Sequence, residues 1–216
     1  MGDMERDATI FVVDDDGSSR HSIQSALEIA GFRTKAFESA ESFLRQYSID
    51  QAGCLVLSVE LPGMSGLELQ EELLRKEITP PIVFVSAEPC VSASVRAMKA
   101  GAVDFLQKPF KDVELLARVQ EALDRDYFLR QRYQEACHVN DRIDSLTRRE
   151  KEVMDLVLEG HTNKEIANIL GLSHRTVELH RSRVMAKMKA DSIVGLVKMT
   201  SMTTEAGEKA GSMLMS

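Results

Sequence analysis

The sequence predicts an α/β protein in which a doubly wound parallel domain precedes a long helix and an all-α helix-turn-helix domain. Short apolar runs alternate with helical patterns over about residues 9–125. A stretch free of Gly and Pro follows Lys111, and residues 145–200 keep helical patterns but lose the strand signals. At 216 residues the chain is long enough for two domains that each bury a core.

Five apolar runs define the strands of the first domain. They read TIFVV, RTKAF, CLVLS, PIVFVS and VDFLQ, and a helical pattern follows each one. Such alternation requires right-handed crossovers and a parallel sheet covered on both faces. The runs rich in β-branched residues indicate strands buried on both sides. We therefore expect the functional crevice at the carboxyl ends of the strands.

The rest of the chain is predicted to be helical. The stretch after Lys111 is dense in good helix formers and is interpreted as a helical linker. The alternative is that it is only the last helix of the first domain with a frayed end. In the C-terminal domain, Thr147 and Glu150 form a predicted capping box, Gly171 ends a second short helix, and Ser173 caps a third. The expected boundaries are 8–124, 125–143 and 144–201, followed by a disordered tail over 202–216.

Composition excludes several classes of protein. No apolar run approaches the roughly 18 residues of a membrane span, and the acidic N-terminus lacks an export signal, so we expect a cytoplasmic protein without a membrane partner. The net charge is -7, yet residues 141–200 carry a small excess of Lys and Arg. This distribution is compatible with a small DNA-binding domain attached to an acidic body. Three widely spaced cysteines are interpreted as inert thiols: Cys54, Cys90 and Cys137.

Polar residues follow several strands of the predicted sheet and should meet in its crevice. They are Asp14, Asp15, Ser58, Ser86 and Lys108. Adjacent carboxylates repel each other and are well accommodated by a divalent cation with oxygen ligands, and Mg²⁺ is the cation we expect. A lysine and a hydroxyl in the same crevice would suit a phosphoryl group. An acidic pair after a strand is also common as a helix cap, so the joint occurrence with Lys108-Pro109 carries the prediction.

At these motifs the chain resembles response-regulator receiver domains, specifically the FixJ-like group with a LuxR-type output domain. The resemblance covers about residues 8–200 and rests on FVVDDD, GCLVLSVELPGMSGLELQ, PIVFVSA, KAGAVDFLQKPF and SLTRREKEVMDLVLEG. It implies a flavodoxin-like (βα)5 receiver domain. It also implies a metal held by Asp14, Asp15 and the backbone carbonyl of Glu60. Two further residues would contact the phosphoryl group, Ser86 and Lys108, and Phe105 would be the aromatic switch.

The chain departs from this family at its central position, because the phosphoacceptor aspartate falls at Ser58. An unactivated serine hydroxyl cannot replace a carboxylate that attacks a phosphohistidine and binds the metal. We therefore expect no aspartyl phosphorylation, weakened Mg²⁺ binding and no other cofactor. The loss also removes the reason to expect a cognate histidine kinase. Glu60 could supply a substitute carboxylate, although an exposed loop Glu is the simpler interpretation. No motif for a catalytic alternative is present, so no enzyme activity is expected.

The helix over 174–188 carries the predicted DNA-reading surface. At 3.6 residues per turn, Val177, Val184 and Met188 share the inner face with His180, which is interpreted as a packed histidine. The opposite face holds five residues: Arg175, Glu178, Leu179, Ser182 and Ala186. Arg181 and Arg183 lie at the flanks, where guanidinium groups would meet phosphates on either side of a major groove.

The segment EGHTNKEIANILGLSHRTVELHRSRVMAKM resembles LuxR-type domains much more specifically than an amphipathic helix pair does. The resemblance puts base contacts at Glu178, Leu179 and Ser182, and the predicted DNA-contacting set also includes Lys164, Arg175, Thr176, Arg181 and Arg183. In this family the last helix, SIVGLVKMT, often pairs two domains. The expected partners are therefore double-stranded promoter DNA and a second copy on that DNA, with RNA polymerase as a further candidate.

The sequence thus predicts an atypical transcriptional response regulator that is not switched by aspartyl phosphorylation. Two alternatives stay open. In one, Ser58 is an engineered change in an ordinary phosphorylation-dependent regulator. In the other, the receiver-like domain chiefly binds another regulator or a small ligand, and DNA contact is secondary. The polar outward face of the third C-terminal helix favours DNA.

Overall fold

A computed structural model describes residues 8–49, 51–88 and 91–201 and divides the chain into two units, one ending at Leu129 and one beginning at Arg130. The predicted tail over 202–216 lies outside the described residues. No helix in the described part of the chain combines the length and apolarity that a bilayer crossing requires.

The first unit is built on a parallel sheet with strand order β2-β1-β3-β4-β5. The strands are β1 (Thr9–Val13), β2 (Arg33–Phe37), β3 (Gly53–Ser58), β4 (Ile82–Ser86) and β5 (Asp104–Gln107). The helices between them are α1 (Gly17–Ile29), α2 (Ala40–Gln46), α3 (Gly66–Arg75) and α4 (Val91–Lys99). The predicted doubly wound parallel fold is therefore confirmed.

Each face of this sheet has its own hydrophobic core. On one face, side chains of β1, β3 and β4 pack with α1 and with the first turns of α5 (Asp112–Asp144). On the other face they pack with α2, α3 and α4, where Phe11, Phe37 and Phe43 form a cluster of ring contacts. Because β3 and β4 are buried throughout, they are apolar on both faces, as the sequence pattern predicts.

A close backbone approach fixes the crevice end of β3. A Cβ atom at Gly66 would lie 2.1 Å from the carbonyl oxygen of Ser58, so only glycine allows α3 to begin this close to the strand. Ser65 caps the helix, and Glu68 completes a capping box. The segment between Ser58 and Gly66 is therefore held at both ends.

The second unit is entirely helical in its described part. It contains the end of α5, then α6 (Arg148–Leu158), α7 (Asn163–Leu170) and α8 (His174–Met188), and a further helix, α9, over residues 193–201. The predicted capping box of Thr147 and Glu150 is confirmed, as is the cap at Ser173. Gly171 adopts the left-handed conformation, with φ of 65°, and ends α7. The core of this unit includes Val153, Ile166 and Leu196.

Candidate regulatory pocket and nucleic-acid interface

The register of the strands sets the polar residues of the crevice side by side. Val13 pairs with Leu57, so Asp14 and Ser58 are the next residues on neighbouring strands. Ser58 pairs with Val85, and the following residue, Ser86, pairs with Gln107. Asp14, Ser58 and Ser86 are all buried. The parallel sheet thus brings the predicted positions together at one edge.

Asp14 is the electrostatic centre of this pocket. Its Oδ2 accepts hydrogen bonds from Lys108 Nζ at 2.5 Å and from Ser19 Oγ at 2.8 Å, and its Oδ1 accepts one from the amide of Asp16 at 3.1 Å. Arg20 adds a second positive charge by donating to the carbonyl oxygen of Asp14 at 2.5 Å. The buried carboxylate is therefore paired with a cation and hydrogen-bonded through both oxygens, as a buried charge requires.

The two serines at the ends of β3 and β4 both contact Glu60. Ser58 Oγ donates to the carbonyl oxygen of Glu60 at 3.0 Å, and Ser86 Oγ lies 2.6 Å from the Oε1 atom of the Glu60 carboxylate. Ser86 Oγ also lies 2.8 Å from the carbonyl oxygen of Glu88 and accepts from the Glu88 amide at 3.2 Å. Although Glu60 is exposed as a residue, its carboxylate reaches a buried hydroxyl.

Two further predicted residues, Asp15 and Phe105, are less buried than Asp14. Asp15 is exposed, and its carbonyl oxygen accepts from Arg20. Asp16 is the N-cap of α1 and accepts from the amide of Ser18, which is the role that acidic residues after a strand often have. Phe105 is half-buried and stacks on Phe84 with ring centroids 6.3 Å apart.

Protein donors would compete with a Mg²⁺ ion for the carboxylate of Asp14. The carboxylate of Asp14 already accepts from three protein donors, and the carbonyl of Glu60 accepts from Ser58. Within the described ranges, no group of three Asp, Glu, His or Cys side chains is arranged to hold a metal. An ion that bound Asp14 through Oδ2 would have to displace Lys108 or Ser19 from that oxygen.

In the second unit, α8 has two faces as the helical periodicity predicts. Val177, Val184 and Met188 are buried in the core, and His180 is partly buried, with no hydrogen-bond partner at Nδ1. The predicted reading face is exposed throughout, at Arg175, Glu178, Leu179, Ser182 and Ala186. Leu179 exposes about half of its surface, 51%, so the predicted reading face includes one large apolar side chain.

The predicted flanking residues of α8 differ in their surroundings. Arg183 is exposed, whereas Arg181 is partly buried and donates to Asn163 Oδ1 at 2.7 Å. Asn163 begins α7, so this bond joins the start of α7 to the middle of α8. Lys164 is exposed on the same turn of α7, and Thr176 contacts the capping Ser173. On the reading face itself, Glu178 contacts His174, with 3.5 Å between Glu178 Oε1 and His174 Nδ1.

Comparisons with known proteins agree with both units. Residues 10–120 match the family described as the response regulator receiver domain, and residues 144–200 match that of the bacterial regulatory proteins of the luxR family. The chain therefore belongs to the DNA-binding transcriptional response regulators of two-component systems, and within them to the FixJ-like group with a LuxR-type output domain.

Individual relatives cover most of the chain. Nodulation protein W of Bradyrhizobium diazoefficiens is 43% identical over 193 residues, which are 89% of this chain and 85% of the relative. Transcriptional regulatory protein FixJ of Rhizobium meliloti is 39% identical over 193 residues, covering 89% and 95% of the two chains. The low-resolution structure of response regulator StyR is 40% identical with a TM-score of 0.80, and the match covers 90% of this chain and 98% of that one.

The sequence did not indicate several contacts of these sites. Ser19 and Arg20 were not among the predicted pocket residues, although their spacing from Asp14 places them on the first turns of the helix that follows β1. Nor did the sequence indicate that Asn163 would be the partner of Arg181. Such contacts between elements depend on how helices pack, which residue spacing along the chain does not encode.

Proposed function

We propose that this response regulator binds promoter DNA through α8 and is not switched by aspartyl phosphorylation. The observation that carries the proposal is Ser58, a buried hydroxyl at the end of β3 that is hydrogen-bonded to the carbonyl of Glu60. An acyl phosphate needs a carboxylate at the attacking position. Resemblance to receiver domains gives Ser58 that position.

The charges around Ser58 support the same proposal. Lys108, which by resemblance would pair with a phosphoryl group, is held by Asp14 instead. The carboxylate of Glu60 accepts a hydrogen bond from the hydroxyl of Ser86. The polar groups that would receive a phosphoryl group thus already have protein partners. For the same reason we propose that Mg²⁺ binds this pocket only weakly.

DNA recognition is proposed to use the exposed face of α8. Glu178, Leu179 and Ser182 would contact base edges, while Arg175, Thr176, Arg183 and Lys164 would contact the backbone together with Arg181. A homodimer on inverted half-sites, joined through α9, would present two such faces to DNA. RNA polymerase is the further partner that a promoter-bound regulator would meet. No histidine kinase is assigned.

The test of the regulatory part uses the native chain and a phosphoryl donor. Incubation with acetyl phosphate and Mg²⁺, or with beryllium fluoride and Mg²⁺, should leave the mass, the oligomeric state and the DNA affinity unchanged. A relative that keeps the acceptor aspartate is the positive control. Formation of a dimer on such treatment, or a mass increase of one phosphoryl group, would contradict the proposal.

The test of the DNA-binding part selects bound sequences from random DNA with the purified chain. Enrichment of sites made of two inverted half-sites is expected. A chain that enriches no sequence would favour the alternative in which the receiver-like unit chiefly serves protein or small-ligand binding.

A further inference from the structure

Glu60 connects the two loops that follow β3 and β4. Its carboxylate Oε1 lies 2.6 Å from Ser86 Oγ, and its backbone carbonyl accepts from Ser58 at 3.0 Å. Ser58 and Ser86 are buried, at 2% and 0% exposure, whereas Glu60 is an exposed residue of the loop that follows β3. One residue therefore reaches from the surface to the hydroxyls at the ends of two neighbouring strands.

The hydroxyl of Ser86 has two possible acceptors but only one hydrogen. It can donate to the carboxylate of Glu60 or to the carbonyl of Glu88, which lies 2.8 Å away in its own loop. The bond to Glu60 is shorter and has a charged acceptor, which makes it the stronger of the two. The first choice links the two loops, and the second leaves them separate.

We propose that the Glu60 carboxylate is a permanent internal hydrogen-bond acceptor for Ser86. It takes the place, beside this hydroxyl, of a phosphoryl group carried by an acceptor aspartate at position 58. The inference rests on the proposed loss of aspartyl phosphorylation and names what replaces it. The loops after β3 and β4 are then held together by the chain itself. No modification, metal or external anion is needed for this link.

The surrounding charges are consistent with an internal ligand. Lys108 is neutralised by Asp14, so the carboxylate of Glu60 does not have to compete with an anion attracted by a free ammonium group. Removing Glu60 should also leave the fold intact, because the carbonyl of Glu88 can still accept from Ser86. A substitution at residue 60 therefore tests the link between the loops rather than the stability of the receiver unit.

The experiment measures backbone hydrogen exchange of the full chain by mass spectrometry or NMR. In Glu60→Ala, the backbone amides of residues 59–66 and 86–88 should exchange about fivefold faster. This is the effect expected when Ser86 donates to the neutral carbonyl of Glu88 instead of the charged carboxylate of Glu60. Glu60→Gln keeps an acceptor oxygen and should restore most of the protection. Glu88→Ala is the matched control, since it removes an equal exposed charge from the neighbouring loop and should change nothing.

A double-variant cycle decides whether the two side chains act together. Ser86→Ala should accelerate exchange of residues 59–66 as Glu60→Ala does, and the double variant should show no further increase. Equal exchange in Glu60→Ala and Glu88→Ala, or additive effects of the two substitutions, would overturn the inference. The measurement uses no phosphoryl donor, so labelling of the native chain by acetyl phosphate would contradict the proposed function separately.

Discussion

Lys187 and Glu150 form an ion pair that joins the end of α8 to the beginning of α6. The ammonium nitrogen lies 2.6 Å from Glu150 Oε2, and it also donates to the carbonyl of Ser145 at 3.1 Å. The Glu150 side chain is only 3% exposed and accepts from the amide of Thr147 as part of the capping box. The hydrogen bond from Lys187, followed by that from Thr147, lowers the pKa of Glu150 from 4.5 to about 2.

This pair predicts a pH-dependent contribution to the stability of the DNA-binding unit. Because the pKa of Glu150 is lower in the folded than in the unfolded state, the contribution is complete above pH 4.5 and is lost as the pH falls through about 2. Glu150→Gln should lower the free energy of unfolding at pH 7 by on the order of 2 kcal/mol, allowing for solvent around the half-exposed Lys187.

Denaturant unfolding of the second unit, followed in the full chain from pH 7 to pH 2.5, is the measurement. The difference between the native chain and Glu150→Gln should shrink across the acid range. Glu152 pairs with arginines on the surface of the same helix, so Glu152→Gln is the control and should have a much smaller effect. A difference between Glu150→Gln and the native chain that stays constant with pH would show that the pair does not titrate as the structure indicates.

Asp126 predicts a stabilising contact in the receiver unit. Its buried carboxylate accepts from the amide of Gly53 at 3.0 Å, at the start of β3. Asp126→Ala should leave that buried N–H without its acceptor and cost about 1–3 kcal/mol in the free energy of unfolding. Asp124→Ala, on the exposed side of the same helix, should have little effect. Equal thermal and denaturant midpoints for the two variants would contradict this assignment.

Much of the fold could be predicted from the sequence because it depends on local patterns. The alternation of strands and helices, the capping pairs and the left-handed Gly171 all follow from residue type and spacing. Contacts between distant side chains could not be predicted in this way. Lys187 reaches a capping residue 37 positions away, and Asp126 reaches Gly53 across 73 positions, so both contacts are consequences of packing.

The pocket shows the same division between local and distant information. Strand ends place Asp14, Ser58, Ser86 and Lys108 together, and the sequence predicts that much. Which acceptor each donor uses depends on loop geometry, and the simpler interpretation of Glu60 from sequence is an exposed loop residue. Only the structure shows its carboxylate at the hydroxyl of Ser86.

Arg181 should contribute to DNA binding in two ways. As a phosphate contact it should raise affinity for all sequences, so Arg181→Ala should weaken binding generally and reduce the slope of log affinity against log salt by about 1. Its bond to Asn163 also holds α7 against α8. Asn163→Ala should therefore lower the stability of the DNA-binding unit as Arg181→Ala does, but it should change the slope of log affinity against log salt less. Binding measured over a salt series separates the two effects, and an unchanged slope for Arg181→Ala would exclude the phosphate contact.

Ser182 should affect the choice of bases rather than the overall affinity. It is exposed on the reading face of α8, where a hydroxyl can contact either a donor or an acceptor in the major groove. Ser182→Ala should change the preferred base at about one or two positions of each half-site. Selection from random DNA measures this, with Arg149→Ala on α6 as a control that keeps the native preference. Identical selected sites for Ser182→Ala and the native chain would show that this residue does not face the bases.

Ser58→Asp should place a second carboxylate beside Asp14 and thereby raise the affinity of the pocket for a cation. The new group would be buried next to a carboxylate that already shares Lys108, so mutual repulsion should be relieved by Mg²⁺, and Mg²⁺ affinity should rise above that of the native chain. Ser58→Asn has nearly the same shape without the charge and is the matched control. Titration calorimetry should show stronger Mg²⁺ binding for the aspartate variant only.

Treatment of the Ser58→Asp variant with acetyl phosphate, followed by rapid mass spectrometry, then distinguishes two states of the pocket. A labelled variant means that the pocket has lost only its acceptor, whereas an unlabelled variant with improved Mg²⁺ binding means that the pocket serves another use. Equal Mg²⁺ binding by the aspartate and asparagine variants would show that the strand-end residues do not act as one site, and the receiver interpretation of this pocket would then be wrong.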